Sequence, residues 1–336
     1  MIGGNTVSSE ILLEIKDLGI QFKTGEGTVQ PIRGVNFSLK KGETLGVVGE
    51  SGSGKSVTSL AVMGLLPEKK SKIVSGSIHF NNNDITNLSE KQYRKLRGNE
   101  MSMIFQEPMT SLNPVFTIGE LLSEPLKQHK KMSRKERKET IISVLKQVGI
   151  PRAEEIINEY PHQLSGGMRQ RVMISLALLC EPKLLICDEP TTALDVTIQA
   201  QILELMKHIK KEKNMSLLFI THDLGVVAEM CDRVVVMYAG EIVEIAEINE
   251  LFDNPLHPYT KGLIDSLPTN NARKSTLYSI KGQVPRPDEI GTGCAFANRC
   301  PHAFEKCLEQ SPPTFLKGEH LSKCWLQESE LQGVIR

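Results

Sequence analysis

The alternation of apolar and polar positions divides the chain into short segments. Residues 12–20 (LLEIKDLGI) mix the two, 35–39 (VNFSL) alternate them, and 44–48 (TLGVV) form a mostly apolar run that stops at Gly49. All three read as strands. A glycine-rich turn follows, then an apolar stretch that predicts a helix over 56–66. Residues 76–80 (GSIHF) predict a further strand, with NNND after it as a turn. From about 117 to 148 the period turns helical, and its lysine-rich piece 127–140 reads as a solvated face. The second half alternates: helix 165–180, buried strand 184–187, helix 196–211, strand 216–220, helix 224–231, strand 233–238. Such alternation implies an α/β fold with a parallel sheet covered by helices. The regularity ends near residue 250, where prolines and cysteines gather and apolar runs thin out. Two domains are therefore expected, 1–250 and 251–336.

Composition narrows the class. The 336 residues hold 40 Lys plus Arg and 40 Asp plus Glu, so the formal net charge is zero, and aromatics make up only 5%. This balance and the scarcity of aromatics argue against a nucleic-acid partner. No stretch approaches the run of about 18 apolar residues that a membrane span needs. The first twenty residues lack a basic segment followed by an apolar one, so no signal peptide is expected.

The chemistry begins at Gly49-Glu50-Ser51-Gly52-Ser53-Gly54-Lys55-Ser56, a full match to G-x-x-x-x-G-K-[ST] between a predicted strand and a predicted helix. Glycines let successive N–H groups converge on an anion, and the helix start adds positive potential. Lys55 is expected to reach the β- and γ-phosphates, and the Ser56 hydroxyl to ligate magnesium. The strand LLICDE brings Asp188 to its carboxyl end as a further magnesium ligand, with Glu189 beside it to polarise an attacking water.

Between these motifs stands Leu164-Ser165-Gly166-Gly167-Met168-Arg169-Gln170-Arg171. This run resembles the signature sequence of ABC-type ATPases. A Ser-Gly-Gly turn at a helix start is itself an anion cradle. The resemblance implies a phosphate-loop NTPase of the ABC type, with a helical signature subdomain at about 107–180 and a small C-terminal extension. It also implies ATP and magnesium as cofactors, and two ATPase domains that sandwich two ATP molecules head to tail. Gln106 resembles the glutamine that senses magnesium and the γ-phosphate. Ala193-Leu194-Asp195 resembles the loop that crosses the dimer interface, and His222 the switch histidine that contacts the γ-phosphate. Phe22 is the best candidate for the aromatic that stacks on adenine.

After residue 250 the run Asn254-Pro255-Leu256-His257-Pro258-Tyr259-Thr260, then Gly262-Leu263, and later Gly293-Cys294-Ala295-Phe296 through Arg299-Cys300-Pro301, resembles the extension of oligopeptide and dipeptide importer ATPases. The resemblance covers about residues 11 to 326. It implies a peripheral ATPase on the cytoplasmic face of the cell membrane. The implied partners are two transmembrane permease subunits, a second and different ATPase chain, and an extracellular or periplasmic peptide-binding protein. Related systems carry nickel or other small solutes, so the cargo stays open. A soluble, non-transport ABC ATPase is the alternative from another class. Such proteins usually carry two ATPase halves or a long coiled-coil insertion, and neither occurs here.

Seven cysteines split into two sets. Cys180, Cys187 and Cys231 read as buried small apolar residues. Cys294, Cys300, Cys307 and Cys324, spaced C-x5-C-x6-C-x16-C, match neither a zinc ribbon nor a ferredoxin run. Importer relatives with this cysteine pattern imply a 4Fe-4S cluster, with zinc or uncoordinated thiols and disulfides as alternatives. Its role reads as structural, because these residues lie far along the chain from the nucleotide motifs.

Overall fold

The computed structural model describes residues 10–25, 27–105, 112–191, 195–267 and 279–328. The chain forms two compact units. One comprises Met1–Leu12, Lys40–Glu43 and Asn87–Leu218, the other Leu13–Leu39, Thr44–Thr86 and Phe219–Arg336.

In the first unit, strands Met101–Ile104 and Leu184–Asp188 run parallel and are buried along their whole length. Uninterrupted apolar sequence is what a parallel strand covered on both faces requires. The helical stretch expected over about 117–148 resolves into Ile118–His129 and Arg134–Gln147; the helix expected at 165–180 is Gly166–Leu178, and a short helix Ala153–Ile156, not expected, lies between. The first two each open on a reciprocal cap, Thr117 with Glu120 and Ser133 with Glu136, which satisfies N–H groups that a helix start leaves without partners. Ile118, Leu122, Leu126, Ile141 and Leu145 bury the inward stripe, while the lysines between them stay at the surface.

The second unit contains two sheets. The N-terminal one is a four-stranded sheet in the order Gly27–Lys40, Ile11–Thr24, Ser71–Phe80, Asn83–Asp84. Its last two strands meet at Asn81 and Asn82, whose φ values of 48° and 65° supply a tight hairpin turn at the expected place. In the other sheet, Thr44–Val48 pairs in parallel with Arg233–Tyr238. Three strands that the alternation did not predict add an antiparallel edge: Arg233–Tyr238 pairs with Glu241–Glu247, Glu241–Glu247 with His320–Ser322, and His320–Ser322 with Phe315–Lys317, all antiparallel. Ala239 and Gly240, at φ 46° and 84°, turn the chain between the strands of the first pair. Several boundaries also move. The first helix is Lys55–Val62, shorter than 56–66; the strand expected at 76–80 begins at Ser71, that expected at 35–39 begins at Gly27, and that expected at 12–20 runs on to Thr24. The strand Ser216–Ile220 carries the chain from one unit into the other.

Cys180, Cys187 and Cys231 are 3%, 0% and 6% exposed, so they pack as small apolar residues, as their scattered positions suggested. No helix among the described residues is long and apolar enough to cross a membrane.

Candidate nucleotide site and cysteine extension

The phosphate loop belongs to the second unit. The buried strand Thr44–Val48 delivers the chain to Gly49, whose φ is 151°; a Cβ placed there would lie 2.2 Å from the Met237 carbonyl oxygen. Gly54 has φ 101°, and its Cβ would meet Ile32 Cδ1 at 2.4 Å. Both positions need glycine for space as well as for conformation. Ser51 and Gly52 are exposed at the crown, and Ser53 is buried. The Lys55 ammonium is buried and donates to the carbonyl oxygens of Gly49 at 2.7 Å and Glu50 at 3.0 Å. Ser56 follows, half-buried, on the first turn of the helix. The same unit places Phe22 half-buried in its strand opposite Ser71. His222 is exposed, one residue after Thr221, whose N–H donates to Val47 O beside the strand that enters the loop.

In the first unit, Asp188 is the last residue of its strand and is 5% exposed. Glu189 follows in the left-handed region at φ 48°, which is uncommon for a side-chain-bearing residue and turns the chain sharply off the strand. Gln170, fully buried on the signature helix, donates from Nε2 to the Pro190 carbonyl oxygen at 2.5 Å. This links the signature helix to the turn that carries Glu189. Gln170 has no signal in the sequence beyond its place in the signature run. Ser165 caps the helix Gly166–Leu178 by accepting the Met168 N–H at 3.3 Å. Ser165 and Gly166 are exposed and Gly167 is half-buried, so the signature turn faces outward. A Cβ on Gly167 would meet Ile198 at 3.4 Å. Asp195 caps the helix Val196–Lys213, accepting the Ile198 N–H at 2.9 Å. Gln106, Ala193 and Leu194 lie outside the described residues.

The extension is tied into the second unit by polar groups that sequence reading passed over. Glu244 is fully buried, yet its carboxylate accepts the N–H groups of Leu256 at 2.7 Å and His257 at 2.9 Å, and His320 Nε2 lies 2.7 Å from it. A buried carboxylate is tolerated only when so satisfied. His257 Nδ1 in turn accepts the Tyr259 N–H, capping the helix Pro258–Asp265, and burial lowers the imidazole pKa to about 4. Arg299, in the turn Ala297–Arg299, forms a bidentate ion pair with Glu50 of the phosphate loop at 2.6 and 3.0 Å. The pair raises the guanidinium pKa further.

The four late cysteines are half-buried. The N–H groups of Phe296, His302 and Leu326 donate to the sulfurs of Cys294, Cys300 and Cys324, each two residues earlier. Burial pushes these three thiols up, Cys324 to about 12, and the neighbouring cysteine sulfurs add to the rise. Among the described residues, however, no three His, Cys, Asp or Glu side chains are grouped so as to hold a metal ion. The expected iron–sulfur ligands therefore stand as half-buried cysteines, three of them receiving backbone N–H groups, and not as an assembled ligand set.

Residues 32–192 match the family described as ABC transporter, and residues 243–307 match the oligopeptide/dipeptide transporter C-terminal region. The oligopeptide transport ATP-binding protein AppD of Bacillus subtilis is 54% identical over 95% of this chain and 98% of its own length. The dipeptide transport ATP-binding protein DppD of the same organism is 50% identical over 97% and 98%. The oligopeptide transport ATP-binding protein OppD of Escherichia coli is 48% identical over 96% and 95%. Among solved structures, the dimeric ATP-binding cassette MJ0796 in a post-hydrolysis state bound to ADP and Pi superposes with a TM-score of 0.63 at 29% identity, over 70% of this chain and 99% of that one. The fold is that of the ABC ATPase cassette. With its phosphate loop, its acidic strand end, its signature helix and its matching C-terminal region, the chain belongs to the oligopeptide/dipeptide family of ABC transporter ATP-binding proteins and is an ATPase of that kind.

Proposed function

We propose that this chain powers the import of di- and oligopeptides as one ATP-hydrolysing subunit of a multisubunit ABC transporter. The observation that carries the reading is likeness to oligopeptide and dipeptide transport proteins over nearly the whole chain, the extension included. In this reading residues 1–250 form the nucleotide-binding domain, with the helical subdomain at about 107–180, and 251–336 the importer-type extension. Lys55 and the N–H groups of Gly49 to Ser56 hold the phosphates, while Ser56, Gln106 and Asp188 hold magnesium. Phe22 stacks on the adenine. Glu189 takes a proton from the attacking water, and His222 orients the γ-phosphate. Lys55 and the partner chain's signature backbone stabilise the charge that develops in phosphoryl transfer. Ser165, Gly166, Gly167 and Asp195 serve the nucleotide of the partner ATPase, which is a different chain. The complex includes two permease subunits and a peptide-binding protein, with this chain peripheral on the cytoplasmic face.

Cys294, Cys300, Cys307 and Cys324 hold a 4Fe-4S cluster in this reading. What supports it is the chemistry of the donor set: four half-buried cysteines late in the chain, three of which (Cys294, Cys300 and Cys324) already receive backbone N–H groups, as cluster thiolates require. A bound cluster would cross-link a segment with little apolar core.

The test is purification of the intact complex, reconstitution in liposomes, and assays of peptide-stimulated ATP hydrolysis, iron content and visible absorbance. Stimulation by short peptides and about four irons per chain are expected. Stimulation by nickel or a sugar instead of peptides would overturn the cargo, and zinc in place of iron would overturn the cluster.

A further inference from the structure

The phosphate loop is gripped from outside the cassette's own motifs. Glu50 follows Gly49, and three contacts converge on it. Its N–H donates to the Tyr259 hydroxyl at 2.8 Å, its carbonyl accepts from the Lys55 ammonium at 3.0 Å, and its carboxylate is clamped by Arg299. Tyr259 is fully buried, and the Arg299 side chain is only 7% exposed. The guanidinium lies 5.7 Å from the Tyr238 ring centre and 5.9 Å from that of Phe296, and its Nε donates to the Lys281 carbonyl oxygen at 2.9 Å. Tyr238 packs edge to face on both Tyr259 and Phe296, and Tyr259 tilts against Phe296, with ring centres 4.7 to 5.4 Å apart. Every degree of freedom of the guanidinium is therefore taken up by packing or a hydrogen bond.

Two physical consequences follow. The carbonyl oxygens of Gly49 and Glu50 seat the Lys55 ammonium, so a swing of Glu50 moves that seat. A carboxylate within an anion-binding loop also repels phosphate unless a cation neutralises it. Arg299 does both tasks, since its planar fork fixes the carboxylate in one orientation and cancels its charge.

We propose that Arg299 is a positioning residue for nucleotide binding, through which the C-terminal extension sets the shape and charge of the phosphate loop. Arg299 touches the loop and not the nucleotide; it acts through Glu50 on Lys55. The inference rests on the reading that this loop holds the phosphates.

The experiment measures binding of a fluorescent ATP analogue with magnesium, and steady-state hydrolysis, on full-length protein. The variants are Arg299→Ala, Arg299→Lys, the double variant Arg299→Ala with Glu50→Gln, and Lys55→Ala as reference. Arg299→Ala is expected to weaken nucleotide binding about tenfold and to raise KM more than it lowers kcat. Arg299→Lys keeps the charge but loses the fork, and is expected to weaken binding about threefold. The double variant is expected to bind more tightly than Arg299→Ala alone, because it removes the carboxylate left without its cation. Simple loosening of the extension would leave the double variant no better than the single one, and that outcome overturns the proposal. So does wild-type affinity in Arg299→Ala while Lys55→Ala abolishes binding. If Lys55→Ala itself binds like wild type, the phosphate-loop reading fails instead. Should Arg299→Ala not fold, Arg299→Lys carries the test, with wild-type affinity as the overturning result.

Discussion

The phosphate loop and the cysteine-bearing extension lie in one compact unit and are built by opposite means. The loop is made of backbone: Gly49 and Gly54 stand where any side chain would collide, and the eight residues of its motif follow one another along the chain. The extension is made of side-chain pairs that join distant positions. Arg299 and Glu50 are separated by 249 residues, and His320 and Glu244 by 76. Local geometry is tolerant of what happens elsewhere, whereas a long-range pair exists only if two separately folded segments arrive together. A defect in the loop should therefore strike chemistry directly, and a defect in the extension should reach it only through stability or through Glu50.

Three changes sharpen this contrast. The largest effect is expected for Glu189→Gln, which should keep ATP binding and lower hydrolysis by about 10²–10⁴-fold, read in a coupled phosphate-release assay. Retention of wild-type turnover would remove Glu189 from the role of base. Next, Gly49→Ala places a methyl group against the Met237 carbonyl in a backbone region that favours glycine. Strain of about 1–3 kcal/mol is expected there, with up to about a hundredfold weaker nucleotide binding by fluorescence titration. The smallest effect concerns the extension. His257 has its pKa held at about 4 by burial, while in the unfolded chain it takes up a proton near its ordinary 6.5. The unfolded state thus binds more protons between these values, and the protein loses stability as pH falls from 6.5 towards 4. His257→Asn keeps an acceptor for the Tyr259 N–H and removes the titration. Wild type should lose a few degrees of Tm relative to this variant at pH 5, and equal slopes would show that His257 does not titrate.

Legibility followed the same division. The buried strands Thr44–Val48, Leu184–Asp188 and Ser216–Ile220 announced themselves as apolar runs, and the motifs at their ends could be read from neighbouring residues alone. Glu241–Glu247 did not. Its Glu244 suggests an exposed position, yet the residue is fully buried because Leu256, His257 and His320 bring partners to it. The hairpin of Phe315–Lys317 and His320–Ser322 was equally silent, since three-residue strands carry no period. The late cysteines looked remote from the nucleotide motifs because distance was counted along the chain; folding places Arg299, the residue before Cys300, on the phosphate loop itself.

What the amino-acid sequence determined by itself is therefore the ATPase chemistry: a phosphate cradle, an acidic strand end and a signature turn. Each is short enough that its geometry follows from its own glycines, caps and apolar run. What only the tertiary structure decided is which distant residues hold that machinery in place. Arg299 clamps Glu50, Tyr259 holds the Glu50 amide, and Gln170 anchors the turn after Glu189. The physical reason is that a buried polar side chain is stable only beside its partner, and nothing local in the sequence says where that partner will be.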